Sequence, residues 1–598
     1  MAKWILKRIP ADYTGLAGKH GVSPLFIRLL INRGITEDKD IEAFLKDDGY
    51  EIYDPLLLTD MEEAVNHMVN KINAGKHIRI VGDYDVDGVC ATAVLKKGLD
   101  FAGGKVDCRI PHRINDGYGL NENIIDEAYR DGVDTIITCD NGISAYNEIK
   151  KAKEYGMSVI VTDHHEVPFT SEGDKRKYIL PPADYVIDPG RPGNNYPFPG
   201  ICGAYVAYKF ISALLSDRFA VKLNAYEKVK AGSEKLLSEL LELSALATVA
   251  DIMELKGENR RIVKTGLKLM KNSSNTGLKA LIKNAGIDGK EISAYHCGFI
   301  IGPCINASGR VDTADRALEL LLSDDPAGAS VIAEELGELN ESRKTMTQNA
   351  VKEASDCITA NHMDSDRILV VYIPDCHESV AGIVAGKIRE KYSRPVFVVT
   401  KGNEGVKGSA RSVEAYNIYE EMTKVSDLFV KYGGHSQAAG FSMAGEEDVD
   451  KLRTRLNENC TLSLDDLRDV MYIDADAPFS YCTPELLDEI ALMQPTGHGN
   501  RSCEFARRDV KILSARFFGK DGMVGKYKVL DTTGTEAELT LFGKNEELKN
   551  LLINKFGKEQ VEKAYCGKNT VTFSVAYHPS WNEYRGEKTV QLIVDDFC

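Results

Sequence analysis

The sequence predicts an α/β protein in three parts: a parallel-sheet domain, a second smaller α/β domain joined to it by a long helix, and a C-terminal β-barrel. Three observations carry this. From Lys71 to Pro189 short apolar runs alternate with helical segments, the order of a βαβ sheet. After a polar helical stretch the alternation restarts at Arg367. From Val510 onward short strand-like runs follow one another with turns between them. With 598 residues the chain exceeds what one hydrophobic core serves. We divide it into a lead-in segment (1–60), a main domain (61–326), a connecting helix (327–357), a second α/β domain (358–456) and a barrel domain (457–598).

Trp4 to Leu58 is rich in helical pattern, holds Asn32-Arg-Gly34, and is read as packing rather than chemistry. His77 to Val81 is a strand running into Gly82-Asp-Tyr-Asp-Val-Asp-Gly88, with an apolar helical run from Val89. Val106 to Ile110, Asp134 to Thr138, Ser158 to Val161 and Ala183 to Ile187 are further strands, with helices at Glu122 to Arg130 and Tyr146 to Tyr155 between them. Leu243 to Ala250 is an apolar helical run that ends at Asp251, and Ala327 to Cys357 is a polar helix carrying Arg343 and Lys344. Strands at Ile368 to Tyr372 and Pro395 to Val399 and a helix at Ser379 to Arg389 build the second α/β domain. Within it, Gly408-Ser-Ala-Arg-Ser412 and Lys431-Tyr-Gly-Gly-His-Ser436 read as turns on their bare pattern. The barrel strands are Val510 to Phe518, Gly525 to Leu530, Glu536 to Phe542, Asn569 to Tyr577 and Glu587 to Val594.

Composition bounds the class. Hydrophobic residues make up 43% and charged residues 27%, so the chain is globular throughout. No apolar run reaches eighteen residues and the start lacks a signal-peptide core, so a soluble, cytoplasmic protein without membrane partners is expected. Thirteen cysteines without a C-x-x-C pair speak against a disulfide framework or zinc ribbon and for reduced core thiols. A net charge of −16 excludes a surface that is basic all over; any nucleic-acid track is a local stripe. Composition carries no oligomer signal, and a monomer is the default.

Ligands of parallel sheets bind beyond the carboxyl ends of the strands. Asp83, Asp85, Asp87, Asp140, Asp163, His164 and His165 all fall at strand ends. A single such aspartate is usually a cap or a solvated loop residue. Five carboxylates and a histidine pair on one edge repel one another unless cations neutralise them. An oxygen-rich set with imidazole suits manganese or magnesium. Asp251 is a further candidate.

Gly82-Asp-Tyr-Asp-Val-Asp-Gly88, Thr138-Cys-Asp-Asn-Gly142, Thr162-Asp-His-His165 and Thr248-Val-Ala-Asp-Ile-Met253 resemble the four ordered motifs of the DHH phosphoesterase superfamily. Pro111-His-Arg113 with Gly117-Tyr-Gly-Leu120, Ile201-Cys-Gly-Ala204, Gly257-Glu-Asn-Arg260, Asn306-Ala-Ser-Gly-Arg310, Gly408 to Ser412 and Gly433-Gly-His435 resemble stretches of its RecJ family in the same order. The resemblance runs from near Trp4 to about Gly543. It implies a DHH domain, a DHH-associated domain and an OB-like barrel, and exonuclease action on single-stranded DNA from the 5′ end with release of 5′-mononucleotides. It also implies two divalent cations, Mn2+ or Mg2+, held by Asp83, Asp85, Asp87, Asp140, His164 and Asp251, with Asp140 as bridge. Asp163 is expected to orient His164, and His165 to face the scissile phosphate. Arg113, Ser409 and Arg411 are expected on the 5′-phosphate, and Arg310, Gly433, Gly434 and His435 along the substrate cleft. Phe517, Phe518, Tyr527, Phe542 and Tyr577 are stacking candidates in the barrel, set against the simpler reading that they are core. The family further suggests a helicase and a single-strand-binding protein as partners.

Two departures stand out. Cys304 follows Pro303 where the family usually has arginine, and Thr496 stands where it commonly has phenylalanine. Two other readings stay open: a DHH phosphodiesterase of short oligonucleotides or cyclic dinucleotides, and a non-catalytic DHH scaffold.

Overall fold

A computed structural model describes residues 2–113, 116–117, 119–172, 175–311, 313–402, 405–463, 465–584 and 586–598; Tyr118 of the Gly117–Leu120 stretch lies outside them. The main domain is built on five parallel strands in the order Lys105–Arg109, His77–Val81, Thr135–Cys139, Ser158–Thr162, Tyr185–Ile187. The inner strands are largely apolar on both faces because helices cover both sides, as parallel sheets require. The Val86–Phe101, Gly203–Leu214 and Tyr226–Ala250 helices pack on one another over one face, and Glu122–Arg130 and Tyr146–Glu154 pack on the other. Strand order reverses next to His77–Val81, the place where such sheets open a crevice at their carboxyl ends.

A 35-residue helix, Pro326–Ala360, capped by Asp325 with proline in its first turn, runs from this domain to the next. The second α/β domain has a five-stranded mixed sheet with the Glu378–Tyr392 helix packed on it. Both stretches read as turns prove to be strands: Val406–Arg411 and Lys431–Gly434 pair antiparallel with Ala438–Met443. Their small residues serve close pairing rather than a reversal. A side chain at Gly408 would strike the Phe441 ring.

The last domain is a closed barrel. Phe505–Phe518 pairs with Val524–Leu530 on one side and Val571–Tyr584 on the other, so the six-stranded sheet returns on itself. Two helices absent from the sequence expectation, Asn545–Phe556 and Lys558–Tyr565, join the third and fourth long strands. The lead-in segment packs on the barrel: Lys3–Leu6 pairs in parallel with Val470–Ile473, and Phe26, Leu30 and Phe44 share the barrel core. Arg33 reaches a buried Asp474 and the carbonyls of Arg501 and Ser502, which explains Asn32-Arg-Gly34 as packing. All thirteen cysteines are free thiols and most are buried. Among the described residues no helix is long and apolar enough to cross a membrane.

The Gly257–Arg260 stretch is also structural. Arg260 is buried, stacks on Phe44 and donates to the carbonyls of Leu492 and Met493, locking the main domain to the barrel's entry. Glu258 accepts from Tyr205 at 2.9 Å and from the buried ammonium of Lys209 at 2.5 Å. Removing one member of a buried ion pair leaves the other charge uncompensated, at a cost of about 3–5 kcal/mol. Glu258→Ala should therefore lower the melting temperature of the main domain by several degrees, and Glu258→Ala/Lys209→Met should recover much of the loss in the same calorimetric scan.

Candidate metal centre

Each acidic side chain reaches the sheet edge for a local reason. Asp140 follows the central strand directly, and its φ of +60° is a left-handed conformation that few residues other than glycine adopt without strain. Opposite it, a side chain at Gly203 would lie 2.6 Å from the Asp140 Cβ, so the Cys202-Gly203 turn is glycine to let two elements meet. Gly309 plays the same part behind the Asp83–Asp85 loop, where a Cβ would sit 2.6 Å from the Tyr84 carbonyl. Asp85 caps the Val86–Phe101 helix through the Gly88 amide at 3.0 Å. Asp251 ends the Tyr226–Ala250 helix.

The structure brings these residues together. Three overlapping sets have donor atoms within 4.8 Å of one another: Asp83, Asp85 and Asp140; Asp140, His164 and His165; Asp87, His164 and Asp251. His164 Nε2 lies 3.1 Å from Asp140 Oδ1 and 3.7 Å from Asp251 Oδ2. Both His164 Nε2 and Asp83 Oδ1 are buried without a hydrogen bond, a costly state for polar atoms. Burial, and then the charge of Asp85, push the Asp83 carboxyl up to about 8. Burial followed by Asp87 and Asp85 does the same to Asp251, also to about 8, and the same causes raise Asp140 well above its ordinary range. Orphaned donors and mutually repelling carboxylates of mixed oxygen and imidazole type fit hard divalent cations.

One expectation is corrected. Asp163 does not orient the His164 ring. Its Oδ1 takes the backbone amides of His164 and His165 and the His165 Nδ1 at 2.7 Å, while Oδ2 takes the Ile143 amide. The two adjacent rings lie with centroids 4.6 Å apart and planes tilted by 57°, and the Asp163 carboxylate bonds only the second ring. Burial opposes charge on His165, but Asp163 outweighs it and holds the ring at about 9. Asp87, expected as a ligand, stands with His164 and Asp251 in one of the three sets, its Oδ2 3.5 Å from His164 Nε2. Both of its oxygens accept amides at the start of the Gly203–Leu214 helix, from Gly203 at 2.6 Å and Ala204 at 2.7 Å, the placement a helix N-terminus favours for an anion.

Sequence reasoning passes over Asp188, although it ends the fifth strand as the others end theirs. It is buried, one oxygen takes the Gly190 amide and the other has no hydrogen bond, and burial followed by Asp163 raises its carboxyl to about 7.

Beyond Tyr84 the charge reverses. Arg113 stacks on the Tyr84 ring at 4.6 Å, and Arg310 donates to the Ser379 carbonyl across the domain boundary. Burial followed by the charges of Arg113 and Arg343 lowers Arg310 to about 10, and burial followed by Arg113 lowers Arg411. Ser409 and Arg411, two apart on one strand, both face Gly382 of the Glu378–Tyr392 helix. Among the described residues no carboxylate forms an ion pair with Arg113, Arg310 or Arg411. A cavity of about 200 Å3 lies here, lined by Arg113, Ser379, Lys407 and Ser409; Ser379 and Lys407 carry no signal in the sequence that marks them for this place. Arg343 approaches from the long helix beside Cys304, where it adds a guanidinium near the position of the departure from arginine. Gly433 and Gly434 lie exposed on the edge strand with exposed His435 just after it, and the His435 backbone amide donates to the Ala438 carbonyl opposite Arg411. Of the barrel aromatics, Tyr527 and Tyr577 are core residues, whereas Phe517, Phe518 and Phe542 are exposed.

Comparison with known proteins agrees with this layout. Residues 77–248 match the DHH family N-terminal domain, 365–461 the DHHA1 domain and 473–596 the RecJ OB domain. The chain is 32% identical to the single-stranded-DNA-specific exonuclease RecJ of Bacillus subtilis, over 99% of this chain and 70% of that one. It is 31% identical to the Escherichia coli RecJ, over 96% and 95%. It superposes on crystal structures of Thermus thermophilus RecJ in complex with Mn2+ (TM-score 0.78, 27% identity, 100% of this chain and 79% of that one) and with Mg2+ (0.74, 25%, 100% and 78%).

Proposed function

Since the chain belongs to the RecJ family of single-stranded-DNA-specific exonucleases, we propose that its acidic strand edge holds two divalent cations, Mn2+ or Mg2+, and hydrolyses single-stranded DNA from the 5′ end to 5′-mononucleotides. The observation that carries this is the adjacency of two poles: a carboxylate and imidazole edge with orphaned donors, and, across Tyr84, guanidiniums that form no ion pair with a carboxylate among the described residues. Asp83, Asp85, Asp87, Asp140, His164 and Asp251 would hold the cations. Asp140 belongs to both the aspartate set and the histidine set, the position that a bridging carboxylate would take. Asp87 anchors the turn through its two amides and adds negative charge. When bound, the cations acidify water and polarise phosphate oxygens. His165, kept cationic by Asp163, supplies a donor for charge developing on the scissile phosphate. Arg113, Arg310, Ser409 and Arg411 take the terminal phosphate, and Arg343 strengthens that pole. The spacing between the poles sets the length of the product. A cleft that admits one strand needs duplex ends opened for it, which is why a helicase and a single-strand-binding protein are the proposed partners.

The test is hydrolysis in Mn2+ of a 5′-phosphorylated single strand beside diadenylate and blunt duplex. Mononucleotides from the single strand alone are expected. Equal cleavage of diadenylate would move the reading to a short-oligonucleotide phosphodiesterase, and no cleavage of any substrate to a non-catalytic scaffold.

Metal binding should also be visible in stability. Asp83 and Asp251 are raised from 3.8 to about 8, so their contribution to the stability of the metal-free fold is full below about pH 4 and is lost as pH rises through 8. Mn2+ replaces those protons. The rise in melting temperature on adding saturating Mn2+ should therefore be larger at pH 8 than at pH 5.5, and an increment independent of pH would count against these carboxylates as ligands.

A further inference from the structure

On the far side of Asp251 from the guanidinium pole, the chain does something that core packing does not require. Ile252, a β-branched residue, sits at φ +57° and is 69% exposed. Such a conformation is a rare outlier for its type and persists where the surroundings hold it. Beside it, Cys297–Ile301 forms a π-helical turn, a distortion that recurs at functional sites. Phe299 on that turn is 70% exposed and stacks on Tyr295, 62% exposed, with ring centroids 5.1 Å apart and planes 26° from parallel. Ile252, Tyr295 and Phe299 wall a cavity of about 610 Å3 whose other side is the turn at Thr496 and His498, and Phe299 also borders a second cavity of about 640 Å3 under the long helix.

The order of groups along the edge gives direction. Arg113 neighbours the Asp83–Asp85 loop through Tyr84, Asp140 joins that loop to His164, and His164 joins Asp251, whose next residue is Ile252. A strand whose 5′ phosphate lies among the guanidiniums and whose scissile phosphate lies at Asp140 leaves past Asp251. We propose that Ile252, Tyr295 and Phe299 form a base-stacking platform for the nucleotides 3′ of the scissile phosphate, a reading that rests on the single-strand nuclease proposed above. Exposed rings beside an apolar cavity accept any base, because every base has a π-face. That suits an enzyme that advances along a strand regardless of sequence.

The platform is tested with Tyr295→Ala/Phe299→Ala, two surface changes that leave the core intact, on strands with normal bases and on strands with abasic residues at the second to fifth positions. Stacking contributes about fivefold or more per base, so removing bases at four successive positions has a tenfold or larger effect. The wild-type KM should rise at least tenfold on abasic strands, whereas the double variant should start high and gain little further. The slope of log affinity against log salt should be the same in both, since no phosphate contact is lost. Quenching of 2-aminopurine placed at the same positions, read in EDTA without hydrolysis, should be strong in wild type and weak in the variant. Wild-type hydrolysis that is indifferent to abasic positions, or quenching that survives both substitutions, overturns the platform; the latter would point to a peptide or other occupant of the cavity. Failure of wild type to cut any strand, with quenching retained, would instead overturn the nuclease reading and leave the platform standing.

Discussion

Asp140→Asn should abolish hydrolysis, on the order of a thousandfold or more in kcat, equivalent to about 4 kcal/mol of barrier, while the metal-free fold becomes more stable. Asparagine is the right replacement because Asp140 sits at φ +60°, where asparagine is at home and alanine is strained; a loss in Asp140→Ala would mix backbone strain with lost ligation. The activity loss comes from position: Asp140 is the one carboxylate shared by the Asp83/Asp85 set and the histidine set, so its removal disturbs both proposed metals. The stability gain comes from charge. Burial and the neighbouring carboxylates hold this carboxyl far above its ordinary range, so at pH 8 ionising it works against folding. Melting at pH 8 with and without Mn2+ reads both effects: a higher transition without metal and a much reduced increment on adding it. A variant that keeps its activity and its full Mn2+ increment would remove Asp140 from the bridge.

Much of this arrangement is legible in sequence because parallel sheets write themselves twice, in the apolar runs and in the residues just after each run. The strands at His77–Val81, Thr135–Cys139 and Ser158–Thr162 and the acidic residues after them are read from period and position alone. Asp188 obeys the same rule but is easily passed over, because it stands alone, without the histidines that draw attention to Asp163. The partner of Asp163 is not legible. Whether a carboxylate holds the first or the second of two adjacent rings depends on turn geometry that residue order does not carry. Asp87 shows the same limit, since its amide partners at Gly203 and Ala204 lie 116 and 117 residues away. Small residues mislead in the second domain, where Gly408 to Arg411 is glycine and alanine for close strand pairing and not for reversal. The barrel helices after Phe542 escape notice because their period is short and the surrounding run reads as strand.

The two poles constrain each other electrostatically. Burial first, and then repulsion by like charges, lowers Arg310 and Arg411 on one side and raises Asp251 on the other. Arg113 eases Asp83, and Asp85 in turn supports Arg310, so each pole partly compensates the other across Tyr84. Full compensation needs cations on one side and an anion on the other. A 5′-phosphorylated strand with its metals supplies both at once, so metal and strand should bind with mutual reinforcement.

The strongest test of the cationic pole is Arg411→Ala. Arg411 stands on a strand paired on both sides, with its guanidinium against Gly382 and its Nη1 on its neighbour's carbonyl, so the side chain is held in place before any ligand arrives. A charge-assisted hydrogen bond contributes about 1.5–3 kcal/mol, and a bidentate one the upper part of that range. On a 5′-phosphorylated strand kcat/KM should accordingly fall on the order of a hundredfold. On a 5′-hydroxyl strand the dianionic group that Arg411 meets is missing already, so the fall should be no more than about threefold. Arg411→Lys should land between, since it keeps the charge and loses the fork. Stability should hold or rise in both variants, because Arg411→Ala relieves the repulsion by Arg113 and no carboxylate loses a partner. Equal losses on the two kinds of strand would make Arg411 a general backbone contact and take the 5′ end out of this pocket. A fall in melting temperature matching the loss of activity would make it a structural residue instead.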